Sequence, residues 1–230
     1  MAKKIALSMN IVEKFKFPKL QLALDLLEAE RALKIALETR DYVDILEAGT
    51  PLIKSAGISI VRFLKNIFPD KIVLADMKTL DVGYIEVSMA ASAGADIVSI
   101  SGLAPDDVVK EAVRAANEKN VFLMADLLGV KFQVERAVEL KKLGVNMLCA
   151  HTAIDQEKSG VDVKEKVEMV KRIVESTGLI VSAAGGITFD TADMMLKAGA
   201  KIIVVGRAIT SNPEPKRAAE YFKNIVLKHY

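Results

Sequence analysis

The sequence predicts a single (β/α)8 barrel, and three observations predict it. Eight short apolar runs, rich in β-branched residues, recur along the chain, each followed by a stretch with apolar residues at helical spacing. The runs do not alternate with polar residues, which suits parallel strands covered on both faces. Most of the runs stop at a charged or polar residue or at glycine, the pattern of strands that end at one common mouth. An open doubly wound sheet is the structural alternative, but no Gly-x-Gly-x-x-Gly turn follows the first run.

The first strand is Leu20 to Asp25, ending in a carboxylate, and Glu28 to Glu38 follows with Ala29, Ala32, Leu33, Ala36 and Leu37 at helical spacing. Val43 to Glu47 is the second strand, before a turn at Ala48-Gly49-Thr50-Pro51. Ser59 to Asn66 is helical and Pro69-Asp70 breaks it. The third run, Ile72-Val73-Leu74-Ala75, leads into Asp76-x-Lys78-x-x-Asp81, and a helix from about Tyr84 to Ala93 follows. Asp96 to Ser101 is the fourth strand. Pro105-Asp106-Asp107 then opens a helix with proline and acids in its first turn, running to about Lys119. Val121 to Asp126 is the fifth strand, and Gln133 to Leu143 is a helix stopped by Gly144. Val145 to Ala150 is the sixth, ending at His151, before a helix over Val163 to Ser176. Leu179 to Ala184 runs into Gly185-Gly186, and Thr191 to Ala198 is helical. Ile202 to Val205 runs into Gly206-Arg207, and a helix over Pro213 to Leu227 closes the chain.

Composition bounds the rest. The chain has 230 residues, 51% hydrophobic and 27% charged, enough to bury a large core and unlike a disordered chain. Residues 1–19 read as an N-terminal extension, amphipathic from Ile5 to Phe17, and residues 20–230 as the barrel. The 32 basic and 30 acidic residues leave a formal charge of +2, with no electrostatic footprint for nucleic acid. No apolar run is long enough to span a bilayer, so no membrane partner is expected. Met1-Ala2-Lys3-Lys4 is basic, but Glu13, Lys14 and Lys16 follow too soon for a secretory signal. The single cysteine, Cys149, sits in an apolar run, and no disulfide or zinc spacing exists, which fits the cytoplasm.

The polar ends carry the functional signal: Asp25, Glu47, Asp76 with Lys78, Ser101, Asp126, His151, Gly185-Gly186 and Gly206-Arg207. Any one alone reads equally as a cap or a salt-bridge partner. Barrel enzymes keep their chemistry where the strands end, so convergence there reads as a site. Gly185, Gly186 and Gly206 free backbone N–H groups beside the Arg207 guanidinium, which suits a phosphate. On the other side, Glu47 and Asp76 end adjacent strands and can share a small hard cation, with Asp25 nearby; Mg²⁺ takes one or two carboxylates and leaves positions for substrate oxygens. Asp76 and Lys78 fall on one side of the strand by its period of two, which puts the ammonium near the cation. Such a site suits a sugar phosphate whose carbonyl is polarised into an enediolate. His229, beside the C-terminus, is given no role.

At these residues the chain resembles a known family. Asp76-x-Lys78-x-x-Asp81 resembles the signature of the orotidine-monophosphate decarboxylase superfamily. Leu22-Ala23-Leu24-Asp25, Glu47 to Ile53 and Ala75 to Thr79 look like the 3-hexulose-6-phosphate synthases. Met124 to Leu127, His151 to Gln156, Ala184 to Ile187 and Val204 to Gly206 continue the match. The likeness covers about Leu20 to Tyr230 and leaves out the first stretch.

The resemblance implies a reversible, Mg²⁺-dependent aldol reaction, with Mn²⁺ as an alternative cation, joining D-ribulose 5-phosphate and formaldehyde to D-arabino-hex-3-ulose 6-phosphate. It implies that Glu47 and Asp76 bind the metal, Lys78 stabilises the enediolate oxygen and Asp25 contacts substrate hydroxyls. His151, with Asp126, would move the C1 proton, and Gly185, Gly186, Gly206 and Arg207 would hold phosphate. It implies a homodimer in which Asp81 reaches the partner's site. The alternative is a 3-keto-L-gulonate-6-phosphate decarboxylase, which resembles the chain less where it carries arginine at Ile154 and glutamate at Asp126. Arg207 points towards that decarboxylase. A non-catalytic sugar-phosphate-binding barrel is the third reading.

Overall fold

The structure is a computed structural model and describes residues 13–152 and 163–230. Eight strands close a parallel barrel in chain order: β1 (Lys19–Leu24), β2 (Ile45–Ala48), β3 (Ile72–Thr79), β4 (Ile97–Ser101), β5 (Phe122–Asp126), β6 (Met147–His151), β7 (Ile180–Ala184) and β8 (Ile202–Val205), with β8 pairing back to β1. Between and after them lie α1 (Ala29–Thr39), α2 (Thr50–Ala56), α3 (Ser59–Ile67), α4 (Gly83–Ser92), α5 (Asp106–Lys119), α6 (Gln133–Leu143), α7 (Val163–Thr177), α8 (Phe189–Lys197), α9 (Arg207–Thr210) and α10 (Pro215–Leu227). The predicted barrel is the observed one.

Each strand is apolar on both faces because each face meets a different core. Leu20, Leu22 and Leu24 of β1, Val73 and Ala75 of β3, and Leu123 and Ala125 of β5 turn outward against the helices. Ala23, Leu74, Ile97, Phe122, Met124 and Val204 turn inward and fill the barrel. A continuous apolar run thus hides a strict alternation between two cores, which is why the sequence shows no period of two.

The extension contributes to the inner core. Phe15 is buried and packs edge-on against Phe122, ring centroids 6.4 Å apart, closing the end of the barrel where the strands begin. Phe17 stacks on Tyr230 at 4.9 Å, so the two ends of the described chain meet. Residues 1–12, including most of the amphipathic stretch from Ile5, lie outside the described residues, as do Ala153 to Gln156 of the resemblance motif.

Two local expectations need correction. Of the expected turn Ala48-Gly49-Thr50-Pro51, Ala48 ends β2, Gly49 precedes α2 and Thr50-Pro51 open it; the seven residues of α2 are too few to show helical periodicity. Likewise β3 is not a regular strand. Ala75 pairs with Val98 but Thr79 with Ile100, so Asp76, Met77 and Lys78 stand against Ser99 alone. The bulge puts Lys78 in the left-handed region at φ 44°, which L residues enter at a cost of about 1 kcal/mol.

Candidate active site

One cavity of about 910 Å³ opens at the ends of the strands. Asp25, Glu47, Asp76, Lys78, Asp126 and His151 line it together, and Gly185, Gly186, Gly206 and Arg207 line it as well. Of the residues to which the sequence gives a catalytic, binding or metal role, all but one therefore share one mouth. The exception, Asp81, does not line it; it is exposed, and its Oδ1 accepts a hydrogen bond from the Val82 N–H at 2.7 Å.

Lys78 is the centre of the charge pattern. Its ammonium donates to Asp76 Oδ2 and lies 3.1 Å from Asp126 Oδ2. Burial works against its charge, but Asp76, Asp126 and Glu47 outweigh burial and hold it protonated beyond the ordinary lysine range. The contact with Asp76 does not come from strand alternation as the sequence suggests. It comes from the bulge, whose geometry two hydroxyls fix. Ser99 Oγ accepts the Lys78 N–H at 2.9 Å and donates to Asp76 Oδ1 at 2.7 Å. Thr50 Oγ1 shares its one proton between the Asp76 carbonyl at 2.8 Å and Asp76 Oδ2 at 2.7 Å.

The second cluster is Asp126 with His151, whose Nδ1 lies 2.9 Å from Asp126 Oδ2 and 3.0 Å from Oδ1. The Leu128 N–H also donates to Asp126 Oδ1 at 2.9 Å. Burial opposes the Asp126 carboxylate, yet the hydrogen bond and charge of His151, with Lys78, hold its pKa below the usual range. An ionised Asp126 accepts from Nδ1–H and leaves the His151 Nε2 lone pair for the cavity.

Asp25 and Glu47 have the opposite electrostatics. Burial raises Glu47 well above the usual carboxylate range, and the charges of Asp76 and Asp25 raise it further. Burial, then Asp76, raises Asp25. Gly49 makes room for this acid, since a Cβ there would sit 2.1 Å from Asp25 Oδ1. Asp25, Glu47 and Asp76 line the same cavity and offer oxygen atoms only, the ligand type a hard cation takes. Among the described residues, the one group of three that brings ligand atoms within 4.8 Å of one another is a different one, Asp126, Cys149 and His151. That set suits a hard cation poorly, because burial pushes the Cys149 thiol well up, away from the thiolate.

After β7, Gly185 and Gly186 have φ 88° and 60°, and a Cβ on Gly185 would lie 2.1 Å from the Thr152 carbonyl oxygen. Only glycine fits that turn.

Sequence reasoning missed Gln21, Thr50 and Ser99. Ser101, the end of its run, was the expected serine; it caps its own loop by accepting the Leu103 N–H. Ser99 lies two residues earlier, where an inward position of the run is polar instead of apolar, and that was the available signal. Gln21 carries the same signal in β1.

Comparisons with known proteins agree with this fold and give the family. The profile of the "Orotidine 5'-phosphate decarboxylase / HUMPS family" matches residues 18–222. A curated protein of Mycobacterium gastri named 3-hexulose-6-phosphate synthase is 40% identical over 88% of this chain and 96% of its own. The crystal structure of a 3-hexulose-6-phosphate synthase superposes with a TM-score of 0.86 at 39% identity, covering 90% of this chain and 99% of that one. A crystal structure of KGPDC from Streptococcus mutans superposes at 0.87 with 28% identity, covering 93% of this chain and 99% of that one.

Proposed function

The chain belongs to the orotidine 5'-phosphate decarboxylase / HUMPS family, and from that premise we propose that it is a Mg²⁺-dependent 3-hexulose-6-phosphate synthase. It joins D-ribulose 5-phosphate to formaldehyde, reversibly, through an enediolate. The observation that carries the reading is the single cavity in which Lys78, between Asp76 and Asp126, stands beside His151 and shares the mouth with Gly185 and Gly186. An ammonium and a histidine in one cavity with a glycine turn suit proton abstraction next to a sugar-phosphate carbonyl.

The residues fit a hard divalent cation. Burial first, and then the charge of neighbouring acids, raises Asp25 and Glu47, and the buried Oε1 of Gln21, which lines the same cavity, has no hydrogen-bond partner. Glu47 and Asp76 would hold Mg²⁺, with Mn²⁺ as a substitute; when bound, the ion supplies positive charge against the substrate's carbonyl and hydroxyl oxygens.

The chain's own residues do the rest. Gly185, Gly186, Gly206 and Arg207 hold the phosphate, and Asp25 accepts from a sugar hydroxyl. His151, oriented by Asp126, takes the C1 proton. The electron pair passes to the carbonyl oxygen, and the Lys78 ammonium stabilises the resulting enediolate. C1 then bonds to the formaldehyde carbon, and the former aldehyde oxygen takes the proton back, giving D-arabino-hex-3-ulose 6-phosphate. Asp81 completes the partner's site in a homodimer. Exposed Leu80 and Val82 flank it and exposed Ile85 and Met89 follow on α4, an apolar surface suited to that contact.

No helix among the described residues is long and apolar enough to cross a membrane. A cytoplasmic location belongs to the same reading, supported by the one buried, unpaired Cys149.

The test is purified protein with ribulose 5-phosphate and ¹³C-formaldehyde, followed by NMR with Mg²⁺ or with chelator. Label appearing in the hexulose phosphate only with Mg²⁺ is expected. Turnover that survives chelation overturns the metal assignment. A second reading, decarboxylation of 3-keto-L-gulonate 6-phosphate, draws on Arg207 in the cavity and the KGPDC likeness. Carbon dioxide release without formaldehyde chemistry would decide for it.

A further inference from the structure

Gln21 is a polar side chain in the interior of the barrel. It is 2% exposed, on β1, paired with Ile45 of β2 and Val204 of β8, and it lines the same cavity as Glu47. Glu47 stands opposite Ala23, so Gln21 meets it diagonally across the β1–β2 pair. Its Nε2 donates to Glu47 Oε2 at 2.6 Å.

The chemistry of the pair fixes which way the amide points. With a cation bound, the Glu47 carboxylate is ionised and offers acceptors only, so in that form the amide nitrogen faces Glu47 and the amide oxygen faces elsewhere. That oxygen, Oε1, is buried with no hydrogen-bond partner. A buried acceptor left unpaired lowers stability, whereas an apolar side chain of the same length would fill the space without that cost. A group that is pinned at one end and unsatisfied at the other, on the wall of a ligand cavity, is arranged for a donor that arrives with the ligand.

We propose that Gln21 is a positioning residue of the cation site, its Nε2 fixing Glu47 Oε2 and its Oε1 accepting a hydrogen bond from a water in the cation's shell. Mg²⁺ keeps several waters when only one or two carboxylates bind it, so it brings the missing donor. The bond to Oε2 also fixes the orientation of the carboxylate, and it leaves the other Glu47 oxygen for the ion. This inference rests on the cation reading of Glu47 and Asp76 given above.

The experiment is calorimetric titration of Mg²⁺ into substrate-free protein, for wild type, Gln21→Met and Gln21→Leu, with thermal melting of each in chelator. Partners that orient metal ligands typically contribute about 10- to 100-fold in affinity, so both variants should bind Mg²⁺ more weakly by about that factor. Their melting in chelator should be unchanged or higher, because the unpaired oxygen is gone. Gln21→Asn serves where the apolar variants do not fold; it keeps the amide, shortens its reach, and should show the same loss. Wild-type affinity in the variants overturns the proposal, as does lower melting with unchanged affinity, the signature of a purely structural glutamine. Wild-type protein that takes no Mg²⁺ overturns the cation reading itself, and this inference with it.

Discussion

Asp126 Oδ2 lies 2.9 Å from His151 Nδ1 across the β5–β6 pair, with Lys78 Nζ 3.1 Å away on its other side. One carboxylate therefore orients the imidazole and neighbours the Lys78 ammonium, the base and the enediolate stabiliser of the proposed reaction. Replacing Asp126 by Asn removes the charge and frees the imidazole to take the wrong tautomer. Turnover should fall about 10²–10⁴-fold in Asp126→Asn and in His151→Gln, and the double variant should be little worse than either single one. Exchange of the ribulose 5-phosphate C1 proton into D₂O, read by NMR without formaldehyde, checks the step directly.

Lys78 combines chemistry with backbone strain. Lys78→Ala should lower turnover at least about 10²–10³-fold, the usual loss when one electrostatic stabiliser is removed. Lys78→Gly loses the same amine but suits φ 44° better, so it should be more stable than Lys78→Ala by about 1 kcal/mol. Denaturant melts of the two variants, compared with each other, make the measurement.

The pH dependence of stability has a definite sign at Asp126. Its carboxyl is held below its ordinary value of 3.8, so between the two values the unfolded chain binds more protons than the folded one. Its contribution is fully present above pH 3.8 and is lost as the pH falls through the folded value. Chemical denaturation from pH 6 downwards should show wild type losing stability on that limb faster than Asp126→Asn.

Phe15 should matter for stability and not for chemistry. It is 2% exposed at the far end of the barrel from the carboxylates, in contact with Phe122. Phe15→Ala should cost about 3 kcal/mol, by loss of burial and the cavity left behind. At a temperature where the variant remains folded, kcat should stay at the wild-type value.

The apolar surface beside Asp81 allows the proposed assembly to be tested apart from the proposed chemistry. Charging Ile85, which is 64% exposed, as Ile85→Glu should shift sedimentation from dimer to monomer and abolish activity. Asp81→Ala should leave the dimer intact and cut turnover by about 10²-fold or more. Mixing Asp81→Ala with Lys78→Ala subunits should restore activity to part of the sites, since one mixed site then has both groups.

Much of this molecule was legible in the chain itself. Eight apolar runs with polar ends determined the barrel, because a strand buried on both faces tolerates charge only where it emerges from the core. The same rule placed Asp25, Glu47, Asp76, Asp126 and His151 on one mouth, as the cavity shows. The family followed from short motifs at those ends. What only tertiary structure decided was how the side chains meet. The bulge that turns Lys78 onto Asp76, the hydroxyls of Thr50 and Ser99 that fix it, the amide of Gln21 under Glu47 and the Phe15 plug all join residues from separate strands or segments. The order of residues sets which strand each comes from and which face it takes. Stagger between strands sets which atoms touch, and it arises only when the barrel closes.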